Sequence, residues 1–313
     1  MRFLITGANG FIGKRLCETL IAAGYDVRRA VRQHDGIQNT IKLSDSSCFE
    51  ELVNATIDID CVIHLAATKN RIKNKKLIND KNIVHEEDLY FTMRLAYAAK
   101  ISGVRRFIFA STLKIDENDK VFTTKEVVQR RMNYVMSKYI VENELRLFDN
   151  SAGLEIVSLR FPVVYGPNVG GGFLLFMKLI SLNLGLLSPQ ISFKRSIIFI
   201  DNLVSALITC ATHIKDTRGT FTVADSEETN FSELLLMTAD ELNKEVFIFK
   251  IPNCIYKLFI MILKSSDKFD FITNDNFTDS QNFKNHLGWT PLYTLNEGIK
   301  TTVDWYLNGR KNK

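Results

Sequence analysis

The chain opens on a short apolar run, Arg2–Thr6, followed at once by Gly7-Ala8-Asn9-Gly10-Phe11-Ile12-Gly13 and an amphipathic stretch from Lys14. Glycines at spacing three between a strand and a helix restrict what can follow. Gly7 permits a tight turn, Gly10 lets the backbone approach a pyrophosphate, and Gly13 lets the helix lie close on the strand. The free N–H groups at the helix start then face an anion. Such a turn belongs to a strand–helix–strand unit, so the expected class is α/β.

The rest of the pattern agrees. Short apolar strands are predicted at Asp26–Val31, Cys61–Leu65, Arg106–Ala110, Glu155–Leu159 and Ser196–Ile200. Helices are predicted at Lys14–Ala23 (ended by Gly24), Ser47–Asn54, Leu89–Ile101, a segment carrying Tyr134 and Lys138, and Phe173–Leu182. Alternation of this kind argues for a Rossmann-like, doubly wound parallel sheet covered on both faces. The expected division is a dinucleotide-binding domain over 1–167 with a return segment near 196–212, and a smaller α/β substrate lobe from 168–195 and 213–313.

Composition narrows the function classes. A net charge of +5 is too small to imply nucleic acid but suits an anionic ligand. The basic stretch Thr68–Asn82 lacks interleaved aromatics and reads as a solvated loop. The cysteines Cys17, Cys48, Cys61, Cys210 and Cys254 form no CxxC pair, which argues against a zinc site or a disulfide framework and for a reducing cytoplasm. No signal peptide is expected, because a strand begins almost at Met1. The apolar run Ile255–Leu263 is too short to span a bilayer and reads as a buried helix, with peripheral membrane contact the lesser alternative.

Tyr134 and Lys138 stand four residues apart and share one face of a helix. A tyrosine whose proton is loosened by a neighbouring ammonium can protonate an alkoxide or take the proton back. Ser111 and Thr112 follow the strand Arg106–Ala110, at the end where ligand groups gather in open α/β sheets. The combination points to hydride chemistry on an alcohol or ketone with a nicotinamide dinucleotide. The second strand ends Val27-Arg28-Arg29-Ala30-Val31-Arg32 without a carboxylate, so Arg32, with Arg28 or Arg29, is expected to face a 2′-phosphate. That favours NADP, while Asp35 lies close enough to leave NAD open. His64, inside an apolar strand, reads as a satisfied core histidine.

In this order the motifs resemble the extended short-chain dehydrogenase/reductases, specifically the NAD-dependent epimerase/dehydratase group that acts on nucleotide sugars. The resemblance runs from Thr6–Gly13 through His64-Leu65-Ala66-Ala67, Phe109–Thr112 and Tyr134–Lys138 to Arg160–Pro167, Arg195–Asp201, Leu287–Pro291 and Leu295–Ile299. It implies Thr112, Tyr134 and Lys138 as the catalytic set, with Thr112 also touching substrate. It implies a cofactor held by Gly7, Asn9, Gly10, Phe11, Ile12, Gly13, Arg32, Leu43, Leu65, Ala66, Ala67, Ser111, Tyr134, Lys138, Phe161 and Val163. Arg195 would meet the diphosphate of the substrate, or else form a surface salt bridge with Asp201 or another acid. The subset most resembled reduces UDP-4-keto-6-deoxy-N-acetylhexosamines for surface polysaccharide. UDP-hexose 4-epimerases are near relatives, and a non-catalytic dinucleotide-binding sensor or scaffold on the same fold is the remaining alternative. Family members often dimerise through helices like 89–101 and 134–148, which implies a homodimer by analogy. The chain departs from the family at Asp88, where asparagine is usual, at Lys42, where an acid is usual, and before Tyr134, where Gln129–Asn133 lack the usual proline-rich lead.

Overall fold

The computed structural model describes residues 1–67, 83–113, 127–149, 153–182, 186–189, 194–225, 229–252 and 280–311, and side chains there except at 83–87, 127–134, 186–189 and 310–311. The runs Thr68–Asn82 and Ile255–Leu263 and the residue Cys254 lie outside the described residues. The strands are β1 (Arg2–Thr6), β2 (Asp26–Val31), β3 (Thr40–Lys42), β4 (Cys61–His64), β5 (Arg106–Thr112), β6 (Glu155–Phe161), β7 (Val163–Tyr165), β8 (Leu186–Pro189), β9 (Lys194–Arg195), β10 (Ile197–Phe199), β11 (Gly219–Thr222), β12 (Thr229–Asn230) and β13 (Ile248–Ile251). The described helices are α1 (Phe11–Ala22), α2 (Phe49–Thr56), α3 (Ile83–Ile101), α4 (Val127–Asp149), α5 (Gly171–Ser181), α6 (Ile200–Thr212), α7 (Phe231–Glu241), α8 (Gln281–Leu287) and α9 (Leu295–Lys311).

The chain divides into two compact units. One comprises Met1–Arg160, Ala206–Thr222 and Asn282–Trp289, the other Phe161–Ser205, Val223–Gln281 and Thr290–Lys313. The first is built on a seven-stranded parallel sheet in the order β11-β6-β5-β4-β1-β2-β3. Strand order reverses between β1 and β4, the place in a doubly wound sheet where the carboxyl ends open a crevice.

Local chemistry explains these elements. Phe3, Leu4 and Ile5 are wholly buried, as a strand covered on both faces requires. In α1 the buried positions Gly13, Leu16, Cys17 and Leu20 recur at helical spacing. The helix stops where Gly24 takes φ +81° and Tyr25 N–H closes back on the Leu20 carbonyl. In α2, Glu51 accepts from the Cys48 N–H at 2.8 Å, and Glu50 and Glu51 put negative charge on the positive end of the dipole. Helices α2, α3 and α4 cover one face of the sheet around Leu52, Ala55, Leu95, Ala99, Val141 and Leu145, packed with Leu4, Val62 and Phe107.

Among its described residues the smaller unit carries three two-stranded pairs, β10 with β7, β12 with β9 and β13 with β8. Its centre is a file of rings, Tyr293–Phe199–Tyr165–Phe173–Phe176–Phe231, each 5.2–5.8 Å from the next. Asp225 is buried within it and accepts from the Tyr165 hydroxyl, the Phe199 N–H and the Asn202 amide. A Cβ on Gly298 would fall 2.4 Å from the Tyr165 hydroxyl, so only glycine fits there.

A buried cation joins the sheet of the larger unit to the end of α6. Arg106 is 1 % exposed and donates to the Glu155 carboxylate and to the carbonyls of Cys210, Ala211, His213 and Lys215. It thereby satisfies the carbonyls that a helix C-terminus leaves open. Arg106→Met will leave Glu155 with the exposed Arg105, at 3.4 Å, as its described cation and the α6 carbonyls without their donor. It will cost about 3 kcal/mol in urea unfolding, whereas Arg106→Met/Glu155→Leu will recover part of that loss.

Candidate active site

The glycine turn meets the strand order reversal. Gly7, with φ +70°, sits so close to the chain after β4 that a Cβ there would lie 3.0 Å from Ala66 N. A Cβ on Gly13 would fall 2.2 Å from the Gly7 carbonyl, and one on Gly10 3.1 Å from the same atom. Gly10 is the N-cap of α1 and gives it no side-chain cap, and the first turn holds no acidic residue. A cradle that a methyl group would fill, ending on an uncapped helix start, fits the diphosphate of a dinucleotide. Asn9 is exposed at its rim, and Phe11 and Ile12 are half-buried.

The arginines of β2 do not all face that cradle. Arg28 donates to the carbonyls of Asn54, Ala55 and Ile57 at the end of α2. Arg29 is buried and bonds Asn9 Oδ1 at 2.6 Å, Thr40 Oγ1 at 3.0 Å and Asp35 Oδ2 at 3.0 Å. Arg32 is exposed and reaches the Ala67 carbonyl at 3.3 Å. Desolvation works against the Asp35 charge, but the Ile37 N–H, Arg29 and Asn9 outweigh it and hold that carboxyl down at about 2. Two of the three arginines that sequence reasoning aimed at a 2′-phosphate are thus held elsewhere by carbonyls and by Asp35. A carboxylate lies beside the glycine turn instead. Leu43 turns its side chain into the core cluster with Ala30 and Leu52.

The other half of the site is the end of β5 against α4. Thr112 and Ser111 are both buried there. Lys138 is 5 % exposed, and its Nζ donates to the Ala110 carbonyl at 2.8 Å and lies 4.4 Å above the Phe109 ring. Burial pushes this ammonium down to about 8, against the upward pull of Asp88. Tyr134 lies one turn earlier on α4, and its side chain lies outside the described residues, as do those of Gln129–Asn133. Ser111 gives its hydroxyl to Glu142 at 2.7 Å, and Arg160 of β6 clasps the same buried carboxylate through Nε and Nη2. Sequence reasoning passed over Glu142, although it extends the Tyr134–Lys138 spacing by one further turn along the same helix face.

His64 has one fixed tautomer. Thr92 spends its hydroxyl hydrogen on the Asp88 carbonyl at 2.7 Å, so it must accept from His64 Nε2–H at 3.0 Å. The bare Nδ1 then takes the Thr6 hydroxyl at 2.7 Å, while Thr6 accepts from Ala66 N–H at 3.3 Å. This is the satisfied core histidine the sequence predicted. Leu65, Ala66 and Ala67 follow it, half-buried, at the end of β4.

Three expected residues belong to the smaller unit. Phe161 and Val163 flank Pro162, half-buried, where β6 passes into β7. Arg195 is 4 % exposed on β9, with its guanidinium 5.3 Å from the Phe231 ring. Among the described residues no group of histidine, cysteine and acidic side chains could hold a metal ion, and no helix is long and apolar enough to cross a membrane.

Residues 3–224 match the profile of the NAD dependent epimerase/dehydratase family. A UDP-glucose 4-epimerase of Vibrio cholerae is 31% identical over 97% of this chain and 95% of its own length. The fold is similar to that of the UDP-glucose 4-epimerase of Thermotoga maritima, solved with UDP-glucose, at TM-score 0.71, 22% identity and coverage of 99% and 100% of the two chains. It is also similar to the UDP-glucuronic acid 4-epimerase of Bacillus cereus, solved with NAD, at TM-score 0.74 and 19% identity, covering 100% of this chain and 99% of that one.

Burial, and secondarily the Lys138 charge, drives His64 down to about 3 from an ordinary 6.5. The unfolded chain therefore binds this proton more readily than the folded one. The stability contributed by the neutral ring is complete above about 6.5 and is lost as pH falls toward 3. Urea unfolding between pH 6 and pH 4 will show a loss of about 1 kcal/mol per pH unit from this group. His64→Gln, less stable at pH 7, will lack that component, so the two curves converge on acidification.

Proposed function

Because this chain is an enzyme of the NAD-dependent epimerase/dehydratase family, we propose that it inverts C4 of a UDP-linked hexose. The observation that carries this reading is Lys138, an ammonium buried against the Ala110 carbonyl near the carboxyl end of β5, one helical turn after Tyr134. The end-to-end likeness to a UDP-glucose 4-epimerase supports C4 as the position and a UDP-sugar as the substrate.

The dinucleotide would be held by Gly7, Asn9, Gly10, Phe11, Ile12 and Gly13, by Leu65–Ala67 after β4, and by Arg32, Lys138, Phe161 and Val163. When bound it supplies a hydride acceptor and donor. NAD is favoured over NADP, because Asp35 brings negative charge to the turn and neutralises Arg29, and because the related Bacillus cereus structure holds NAD. The reductase reading of the sequence leaned on arginines free to meet a 2′-phosphate, and Arg28 and Arg29 are engaged otherwise. It therefore stands second to the epimerase.

The chain's own residues handle the proton. Tyr134 removes it from the sugar hydroxyl at C4 and returns it, and Lys138 favours the phenolate by its charge. Thr112 holds the same oxygen. The Glu142–Ser111 bond fixes the end of β5, so the threonine is presented in one orientation. Arg195 supplies a guanidinium for the substrate's diphosphate.

Purified protein given UDP-glucose, UDP-galactose and UDP-N-acetylglucosamine will form the C4 epimer of at least one, read by NMR of the products, without net change in reduced cofactor. Tyr134→Phe will lower kcat by about 100-fold or more. Net oxidation of NADPH by a UDP-4-keto sugar, with no epimer from any of the three, will reject the epimerase in favour of the reductase.

A homodimer is part of the same proposal. Helix α3 exposes Tyr90, Tyr97 and Ile101, and α4, packed beside it, exposes Met136, Tyr139 and Leu147. Exposed apolar faces on adjoining helices favour a helix-to-helix contact between two copies. Light scattering is expected to give twice the chain mass of 35.8 kDa, and Tyr97→Glu/Leu147→Glu to give the single-chain value.

A further inference from the structure

Asp88 lies on α3, four residues before Thr92, and both of its oxygen-bearing ends are engaged. Its main-chain carbonyl takes the Thr92 hydroxyl, so it terminates the hydrogen-bond chain that starts at Ala66 and passes through Thr6 and His64. Its carboxylate takes the Ser137 hydroxyl at 3.1 Å, across the α3–α4 contact. Ser137 is the residue before Lys138, and both are buried. A fixed carboxylate is therefore tied to the turn of α4 that carries the buried ammonium.

We propose that Asp88 is a positioning residue for Lys138: held by Ser137, its carboxylate is the fixed negative charge that keeps this buried ammonium charged and aimed at the end of β5. The catalytic meaning rests on the reading above, in which Lys138 serves Tyr134. The electrostatic claim concerns the protein by itself.

Among the described residues, the charged and titratable groups around Lys138 leave Asp88 this part. From β4 comes His64, held neutral by its partners. From its own helix comes Glu142, whose charge is met by Arg160 of β6 and the Ser111 hydroxyl. Strand β5 offers the Ala110 carbonyl and the Phe109 ring, which orient an ammonium without carrying a full charge. Asp88 contributes from α3. Burial lowers Lys138, and the charge of Asp88 opposes that fall. Asparagine at 88 would retain an acceptor for Ser137 and the backbone bond to Thr92 while deleting the charge. Asp88→Asn thus separates charge from structure.

Protein labelled with 15Nζ,13Cε-lysine will be titrated from pH 6 to pH 10 by NMR, with the Lys138 signal identified by its loss in Lys138→Gln. In Asp88→Asn the Lys138 midpoint is expected to fall by about one pH unit, with the thermal midpoint at pH 7 little changed. Ser137→Ala, which keeps the charge but releases it, is expected to lower the midpoint by less. The alkaline limb of kcat will move in the same direction. A Lys138 midpoint that is unchanged or raised in Asp88→Asn overturns the proposal. If that variant does not fold, an unchanged midpoint in Ser137→Ala does so. A shifted midpoint in a protein that turns over no nucleotide sugar leaves this inference standing and rejects the epimerase instead.

Discussion

The close seating of α1 on the turn after β1 is the constraint on which the larger unit depends. With no side chain at Gly13, the helix comes within reach of the Gly7 carbonyl, and Gly7 in turn lies against the main chain at Ala66. The glycine turn and the distant segment at Ala66 converge within a few ångströms, and no side chain beyond hydrogen fits between them. That crowding fixes where the first helix starts, where β1 ends and how β4 leaves the sheet. The crevice at the strand order reversal is a product of this packing, and the residues around it inherit their places from it.

The buried polar groups follow one rule, although they serve different ends. Arg106 gathers Glu155 and the open carbonyls of α6. Glu142 is shared by Ser111 and Arg160, Asp225 by Tyr165, Phe199 and Asn202. In each case a charge taken out of water is surrounded by several partners drawn from different elements, as the cost of desolvation requires. Lys138 is the exception in kind. Its described bond goes to a neutral carbonyl and its nearest ring is Phe109, so its charge is sustained less completely than the others. An ammonium held in that condition readily responds to a proton moving nearby, which is what an acid–base partner needs.

Much of this was legible in the residues alone, for physical reasons. Strands buried on both faces need unbroken apolar runs, and Phe3–Ile5, Cys61–Ile63 and Phe107–Ala110 supply them. Strand β3, at the edge of the sheet, did not announce itself, because Thr40-Ile41-Lys42 is short and half polar and gains its place by pairing with β2. The two-residue strands β9 and β12 likewise exist only through each other. Helix α1 begins at Phe11 and not at Lys14, since the glycine turn is also its first turn. Around the candidate site, the four-residue spacing put Tyr134 and Lys138 on one helix, and the apolar run ending at Ala110 put Ser111 and Thr112 at the carboxyl end of a strand. The fate of the arginines could not. Alternation along β2 indicates that Arg28 and Arg29 face opposite sides, but only the fold brings the α2 carbonyls to one and Asp35 to the other. The preference for NADP drawn from their number came from counting charges without their counterions.

The hydroxyls of Thr6 and Thr92 give the imidazole between them an orientation with a single sense. Reversing any one donor would oblige all of its neighbours to reverse too, and the amide of Ala66 at the head of the sequence has no acceptor's role to fall back on. The ring thus acts as an inert strut between sheet and helix, unable to accept a second proton without breaking ranks. Lys138, whose own charge helps keep that ring neutral, is thereby spared a rival cation around neutral pH.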